Sequence, residues 1–279
     1  MKYIVITGVS TGIGYATTAE FLRRGCHVFG SVRLQADADR LQEQFGPAFT
    51  PLLFDVVNHE AIGTAVQQVR SAIGDNGLTA LVNNAGIVIP GPLMYMPLID
   101  FRAQFEVNLF GLLDVTQQFL PLLGAGKESP IPPGRIVNIS SVSGKIAYPF
   151  LGAYAATKHA LEALSDALRR ELMLFGVDVI LVEPGTTATP IKEKFRFYIQ
   201  KYKDTGYGRM VAGLEEQLAE REINGLPVNK VVETICTAVE SDHPKTRYAV
   251  PRKKFTGWLI PRLLPDRWLD RLTANRLGI

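Results

Sequence analysis

Tyr154 and Lys158 stand four residues apart in Tyr154-Ala155-Ala156-Thr157-Lys158. On a helix this spacing projects both side chains on one face. A free tyrosine, with a pKa of about 10, is a poor base at neutral pH. A neighbouring ammonium favours the phenolate and lowers that value, so the pair could deliver or remove a hydroxyl proton. Taken alone, the two residues also read as an ordinary exposed helix pair. A second group opens the chain: Thr7-Gly8-Val9-Ser10-Thr11-Gly12-Ile13-Gly14 follows an apolar run and leads into a helical stretch. Gly8 lets the chain turn sharply, Gly12 leaves room for backbone amides beside a pyrophosphate, and Gly14 allows close packing of helix on sheet. The helix start then faces the phosphates, so Gly8, Ser10, Thr11, Gly12, Ile13 and Gly14 form the candidate phosphate cradle. No competing nucleophile system is visible. His27, His59, His159 and His243 stand singly, there is no Gly-x-Ser-x-Gly elbow, and no ligand cluster calls for a metal.

These residues need elements to hold them. Short β-branched runs at Lys2–Thr7, His27–Ser31, Thr50–Phe54, Ala80–Asn83, Arg135–Ile139, Val177–Val182 and Arg247–Val250 read as strands. Ile136-Val137-Asn138-Ile139 and Val179-Ile180-Leu181-Val182 are nearly continuous apolar runs, as in strands covered on both faces. Helical stretches lie between, among them Gly12–Arg24, His59–Ile73, Phe101–Leu123 and Tyr154–Phe175. The alternation predicts an α/β fold: a doubly wound parallel sheet of about seven strands, with helices on both faces, in one domain over residues 1–279. Gly124–Gly134 is a Pro/Gly loop. Residues 186–227 interrupt the alternation and carry Phe195, Phe197, Tyr198, Tyr202 and Tyr207. They read as a substrate lid, or as surface helices packed on the body. Residues 251–279 form a basic amphipathic tail.

A chain of 279 residues with 47% hydrophobic and 20% charged residues is a globular protein, not a disordered, collagenous or multi-span one. Two distant cysteines, Cys26 and Cys236, make no disulfide framework. No secretory leader or spanning segment is visible, and a cytoplasmic location is expected. The net charge of +3 is uneven: nine Lys/Arg against two Asp lie between Lys245 and Ile279. Trp258, Trp268 and several leucines stand among those arginines. Such a stretch can lie at a membrane interface or dock on the body or a partner subunit. Docking is favoured, because Pro261 and Pro265 break the tail into short pieces.

The glycine spacing Thr-Gly-x-x-x-Gly-x-Gly resembles that of the short-chain dehydrogenase/reductase family. Downstream, Asn83-Asn84-Ala85-Gly86 resembles the family motif that steadies the sheet and lines the adenosine side of the cofactor. Asn108, in Phe105-Glu106-Val107-Asn108, falls where the family keeps its structural and proton-relay asparagine. Ser140-Ser141 ends a strand, Tyr154 and Lys158 match Tyr-x-x-x-Lys, and Pro184-Gly185 is followed by Thr187 and Thr189. The matches span residues 3 to about 190. The resemblance implies a catalytic set of Asn108, Ser141, Tyr154 and Lys158. Ser141 would hold the substrate oxygen by Tyr154, Lys158 would also bind the nicotinamide ribose, and Asn108 would hold a water linking Lys158 to solvent. Asp55 and Val56 resemble the pair that contacts the adenine. Gly8 to Gly14, Asn84, Ala85, Gly86, Pro184, Gly185, Thr187 and Thr189 would complete the cofactor site with Tyr154 and Lys158.

Val32 stands where NAD-dependent members carry Asp, and Arg33 where NADP-dependent members carry a base. NADP(H) is therefore expected over NAD(H), with Asp37 able to repel a 2′-phosphate and the alternative that Arg33 faces water. Val182-Glu183-Pro184-Gly185 and the Leu164–Leu172 segment look most like the hydroxysteroid and retinol dehydrogenase branch. That implies a ketone or aldehyde interconverted with an alcohol on a bulky apolar substrate: steroid, retinoid, terpenoid or long-chain acyl. The family pairs the helices carrying Asn108 and Tyr154 across a two-fold axis, so at least a homodimer is expected. Three other readings stand beside this one: an NAD-dependent alcohol dehydrogenase, a nucleotide sensor without turnover, and a nucleic-acid binder. The complete catalytic set argues against the sensor, and no recognition motif accompanies the basic tail.

Overall fold

The computed structural model describes residues 1–187 and 191–277, without the side chains of 191–194, 217–224 and 276. Thr189 lies outside the described residues. Seven strands form one parallel sheet: β1 Tyr3–Ile6, β2 His27–Val32, β3 Phe49–Leu53, β4 Ala80–Asn83, β5 Arg135–Ile139, β6 Asp178–Pro184 and β7 Arg247–Val250. Their order is β3-β2-β1-β4-β5-β6-β7. Each crossover carries a helix, as parallel neighbours require. The helices are α1 Gly12–Arg23, α2 Gln35–Phe45, α3 His59–Ile73, α4 Leu98–Phe105, α5 Leu112–Phe119, α6 Gly152–Leu172, α7 Ile191–Gln200, α8 Gly208–Asn224, α9 Val228–Glu240, α10 Ile260–Leu263 and α11 Asp266–Leu277. All seven predicted strands are present, displaced by two residues at most.

The apolar runs of the strands explain the layers. Ile4 and Ile6 face a core formed with α1, α2 and α9, while Val5 faces another formed with α3, α5 and the end of α6. Alternate side chains of one strand thus feed two separate cores. The strand order reverses between β1 and β4, because the chain runs from β1 out to β3 on one side and returns to lay β4 on the other side of β1. In open sheets of this kind, ligands bind in the crevice outside the carboxyl ends of the strands at such a point. Thr7, Asn84, Ser140 and Gly185 follow the carboxyl ends of β1, β4, β5 and β6.

The predicted helix over Phe101–Leu123 differs in detail. It begins at Leu98, opens into a π turn at Glu106–Gly111, resumes as α5 and tightens to a 3₁₀ turn at Leu120–Leu123. Pro121, which has no backbone N–H to donate, stands in that last turn.

Residues 186–227 hold α7 and α8. Phe150, Ile199 and Val211 form a small core there with Phe195, Tyr202 and Tyr207 packed around it. Tyr95 stacks on Tyr202, with ring centroids 6.4 Å apart. The tail is a π turn at Phe255–Leu259 followed by the short α10 and by α11 beyond Pro265. Trp258 is buried and α11 packs against α8, whereas Phe255, Leu263 and Trp268 are exposed. Among the described residues, no helix is long and apolar enough to cross a membrane.

Candidate active site

The glycine turn is built as a cradle. Gly8 and Gly12 have φ of +70° and +64°, a region that L side chains avoid. A Cβ on Gly14 would overlap the Gly8 carbonyl oxygen, so only glycine lets α1 seat against the turn. Thr11 caps α1 with no side-chain hydrogen bond, and no acid lies in its first turn. The first amides of a twelve-residue helix are therefore available to an anion. Asn84 braces the turn from β4. Its Nδ2 donates to the carbonyls of Thr7 and Gly8, each at 2.9 Å, and the Asn84 and Ala85 amides donate to Thr7 Oγ1. The Gly8 amide donates to Ser31 Oγ at 3.0 Å. These residues fit a dinucleotide: a cradle closed to side chains and a free helix start.

The rim expected to take the adenosine carries more charge than the sequence motifs indicate. Arg33 lies just past β2 with its guanidinium 3.9 Å from Asp55. Asp37, the anticipated source of repulsion, is paired with Arg40 at 2.7 Å. The same Arg40 guanidinium donates to the Ser10 carbonyl at 3.1 Å. Arg40 is thus a second cation on this rim that no motif marked. The only signal was its place three residues after Asp37 on a helix following β2. Val32, in the position compared with the NAD-type acid, is buried in the core. Val56 is buried beside Asp55, and Asp55 accepts from the Val57 amide at 3.3 Å.

At the other end of the crevice, Ser141 Oγ caps a 3₁₀ turn at Val142–Gly144 by accepting from the Ser143 amide at 3.1 Å. The Ser141 hydroxyl also faces Tyr154 and favours the phenolate there. Lys158 lies one helical turn on, with Nζ 5.8 Å from the centre of the Tyr154 ring. Its ammonium donates to the Ile139 carbonyl at 2.8 Å. Ser141, Tyr154 and Lys158 are therefore brought together.

The electrostatics correct one expectation. The Tyr154 phenol lies above its usual value, because burial outweighs the hydrogen bond from Ser141 that pulls it down. The anticipated lowering by Lys158 does not prevail. Burial instead falls heavily on the lysine, pulling Lys158 down to about 8 against the opposing charge of Glu162.

Asn108 sits inside the π turn, fully buried. Such turns are rare and often mark functional sites. Both ends of its side chain are committed: Oδ1 accepts from the Ile87 amide at 2.8 Å, and Nδ2 donates to the Ile87 carbonyl and to Thr157 Oγ1. It ties the segment after β4 to α6, next to Lys158. Gly86 lies against Asn108 Oδ1. Pro184 ends β6, the Gly185 amide donates to the Val250 carbonyl at 2.9 Å, and Thr187 is buried in a bridge to Leu226. Sequence reasoning missed Thr7 and Ser31, which hold the turn. It also missed a buried chain in which Asn83 Nδ2 donates to Thr116 and Asn138, and Asn138 donates to Ser165.

Comparison with known proteins decides the family. The family model described as short chain dehydrogenase matches residues 2–197. The chain is a member of the short-chain dehydrogenase family. This member is 43% identical over 272 residues to a protein named NADPH-dependent 3-dehydrocapnine reductase from Ornithobacterium rhinotracheale, covering 98% of this chain and 96% of that one. It is 33% identical to mouse retinol dehydrogenase 16, covering 97% of this chain and 87% of the other. Among solved structures, it is similar to a short-chain dehydrogenase from Streptomyces avermitilis, with a TM-score of 0.76, 26% identity, and coverage of 98% and 94%. These likenesses place the dehydrogenase near the hydroxysteroid and retinol branch, as an oxidoreductase on a Rossmann-type sheet.

Proposed function

We propose that this short-chain dehydrogenase is an NADP(H)-dependent carbonyl reductase or alcohol dehydrogenase acting on a bulky apolar substrate. The observation that carries the reading is Tyr154 set between the Ser141 hydroxyl and the Lys158 ammonium beneath its ring, one strand end away from a cradle fit for a pyrophosphate. A nicotinamide bound there would supply or accept the hydride. The chain does the rest. Ser141 and Tyr154 hold the carbonyl oxygen, and Tyr154 delivers the proton as charge builds on it. The raised phenol favours the protonated form that a reductase needs. Lys158 steadies the phenolate left behind and orients the ribose hydroxyls. Asn108 keeps the loop after β4 and α6 in register around them.

Three features support the finer assignments. Arg33 and Arg40 flank the adenosine rim where a 2′-phosphate would lie. The relative at 43% identity is named as NADPH-dependent. The aromatic group of Phe150, Tyr95, Tyr202 and Tyr207 belongs to the 186–227 segment and the loops it packs on, which suits an apolar substrate under a lid. The test is turnover of long-chain and polycyclic ketones with NADPH and with NADH, followed by nicotinamide absorbance. Faster reduction of apolar ketones with NADPH is expected. Turnover limited to small polar ketones, or equal use of NADH, overturns the corresponding part.

A further inference from the structure

Behind Lys158 lies a charged group that the proposed chemistry does not use. Glu162 follows Lys158 by one turn on α6 and is 3% exposed. Its Oε2 accepts Lys145 Nζ and Arg247 Nε, each at 3.0 Å. Glu183, near the end of β6, is 1% exposed, and its Oε1 is buried without a hydrogen-bond partner. Arg247 of β7 spans the group: its Nε lies 3.5 Å from Glu183, and its Nη2 lies 2.8 Å from Asp166. Glu162 Oε1 and Ser140 Oγ are buried without a partner, and both border the side of Gly144 that a Cβ would fill. Glu162 also forms the inner wall of a recess of about 690 Å³ whose outer wall is Pro261, Leu264 and Leu269 of the tail.

Such a group is costly for a core. Each buried ion loses several kcal/mol of hydration, and apolar residues of similar volume are often as good or better for stability. Two carboxyls gathered on one guanidinium also resist carrying two negative charges at once. Stability alone does not account for the arrangement, but the position does. Glu162 is the charge that opposes the desolvation of Lys158.

We propose that Glu162 and Glu183 are a positioning pair for Lys158: buried together behind it and joined through Arg247, they supply the negative charge that keeps Lys158 an ammonium inside the core. The role rests on the reading of Tyr154 and Lys158 given above. Glu162 acts directly, and Glu183 acts through it. Burial and the neighbouring Glu162 push Glu183 up to about 7. As pH rises through that value, Glu183 gives up its proton and adds a second negative charge. The other charged groups facing the pair are Lys145 from the turn after β5, Asp166 from α6, and Arg247 from β7. His159, Arg262 and Asp266 stand around the recess.

The test is the titration of Lys158 in the free protein, followed by NMR of lysine labelled with ¹³C at Cε and assigned by its loss in Lys158→Arg. In Glu162→Gln the Lys158 signal is expected to titrate lower by about one unit, a tenfold change in proton affinity. Glu162→Asp, which keeps the charge, restores it. In Glu183→Gln the signal is unchanged near pH 6 and shifted downward above pH 7. This variant removes no charge at pH 6 and so carries the test if Glu162→Gln fails to fold. The alkaline limb of the reductase pH profile moves lower in step. An identical Lys158 titration in the wild type and in the folded Gln variants overturns the proposal. A shifted titration in a protein without any carbonyl turnover leaves the pair standing and overturns the functional reading instead.

Discussion

Tyr154 has its hydroxyl toward Ser141 and a buried ammonium over its ring face, an arrangement suited to moving one proton. Tyr154→Phe keeps the ring and removes the hydroxyl, so turnover should fall by about 10² to 10⁴ while cofactor affinity stays near wild type. Measured together, kcat and NADPH fluorescence titration separate the two. At the other end of the crevice, charge-assisted contacts to a phosphate contribute about 1.5–3 kcal/mol each. Arg33→Ala and Arg40→Ala should each weaken NADPH binding about ten- to a hundredfold and leave NADH binding nearly unchanged. An equal effect on both cofactors would assign the arginines to structure. Glu183 gives a stability signature. Its folded value, about 7, lies above the ordinary 4.5, so the folded state binds the proton more tightly than the unfolded chain. Its stabilising contribution is full below about pH 4.5 and is lost as pH rises toward 7. Glu183→Gln should therefore gain melting temperature relative to wild type as pH is raised through this window. A constant difference across the window would contradict the assignment.

The elements show which parts of the site were legible in the sequence. Each strand is a short apolar run closed by a turn signal, so the sheet and its carboxyl ends follow from local pattern alone. The glycine cradle was legible for the same reason, because its residues are adjacent. Gly14→Ala should abolish tight NADPH binding and lower the melting temperature, since the added carbon overlaps the Gly8 carbonyl. Unchanged binding would mean that α1 can move away from the turn. The π turn was not legible. Its residues continue the helical pattern on both sides, and the distortion accompanies hydrogen bonds from Asn108 to Ile87, 21 residues away. Arg40 was missed for a related reason: a cation on an exposed helix face gives no pattern until the fold brings it to Ser10. The direction of the Tyr154 shift depends on burial, which the spacing of Tyr154 and Lys158 does not reveal.

At the scale of the whole molecule, α4 and the π turn present an apolar strip. Leu98, Ile99 and Phe110 are exposed, and a shallow groove of about 340 Å³ runs between Leu98, Phe105 and Phe110. We propose that this strip is where two copies of the chain would meet, as the family's two-fold pairing implies. Phe110→Glu should shift the protein from dimer to monomer in light scattering at micromolar concentration, whereas a monomeric wild type would remove the idea.

The sheet order has a consequence for the chain as it is made. β7 is an edge strand and the last to be synthesised, and it brings Arg247 to Glu162, Glu183 and Asp166. Until residue 247 leaves the ribosome, Glu162 keeps Lys145 and Asp166 keeps Arg169, but Glu183 lacks the cation that β7 brings. Burying an unpaired carboxylate costs several kcal/mol, so the carboxyl end of β6 closes fully only when the final strand docks. A prematurely terminated chain thereby exposes itself to proteolysis, and a finished one seals its own core.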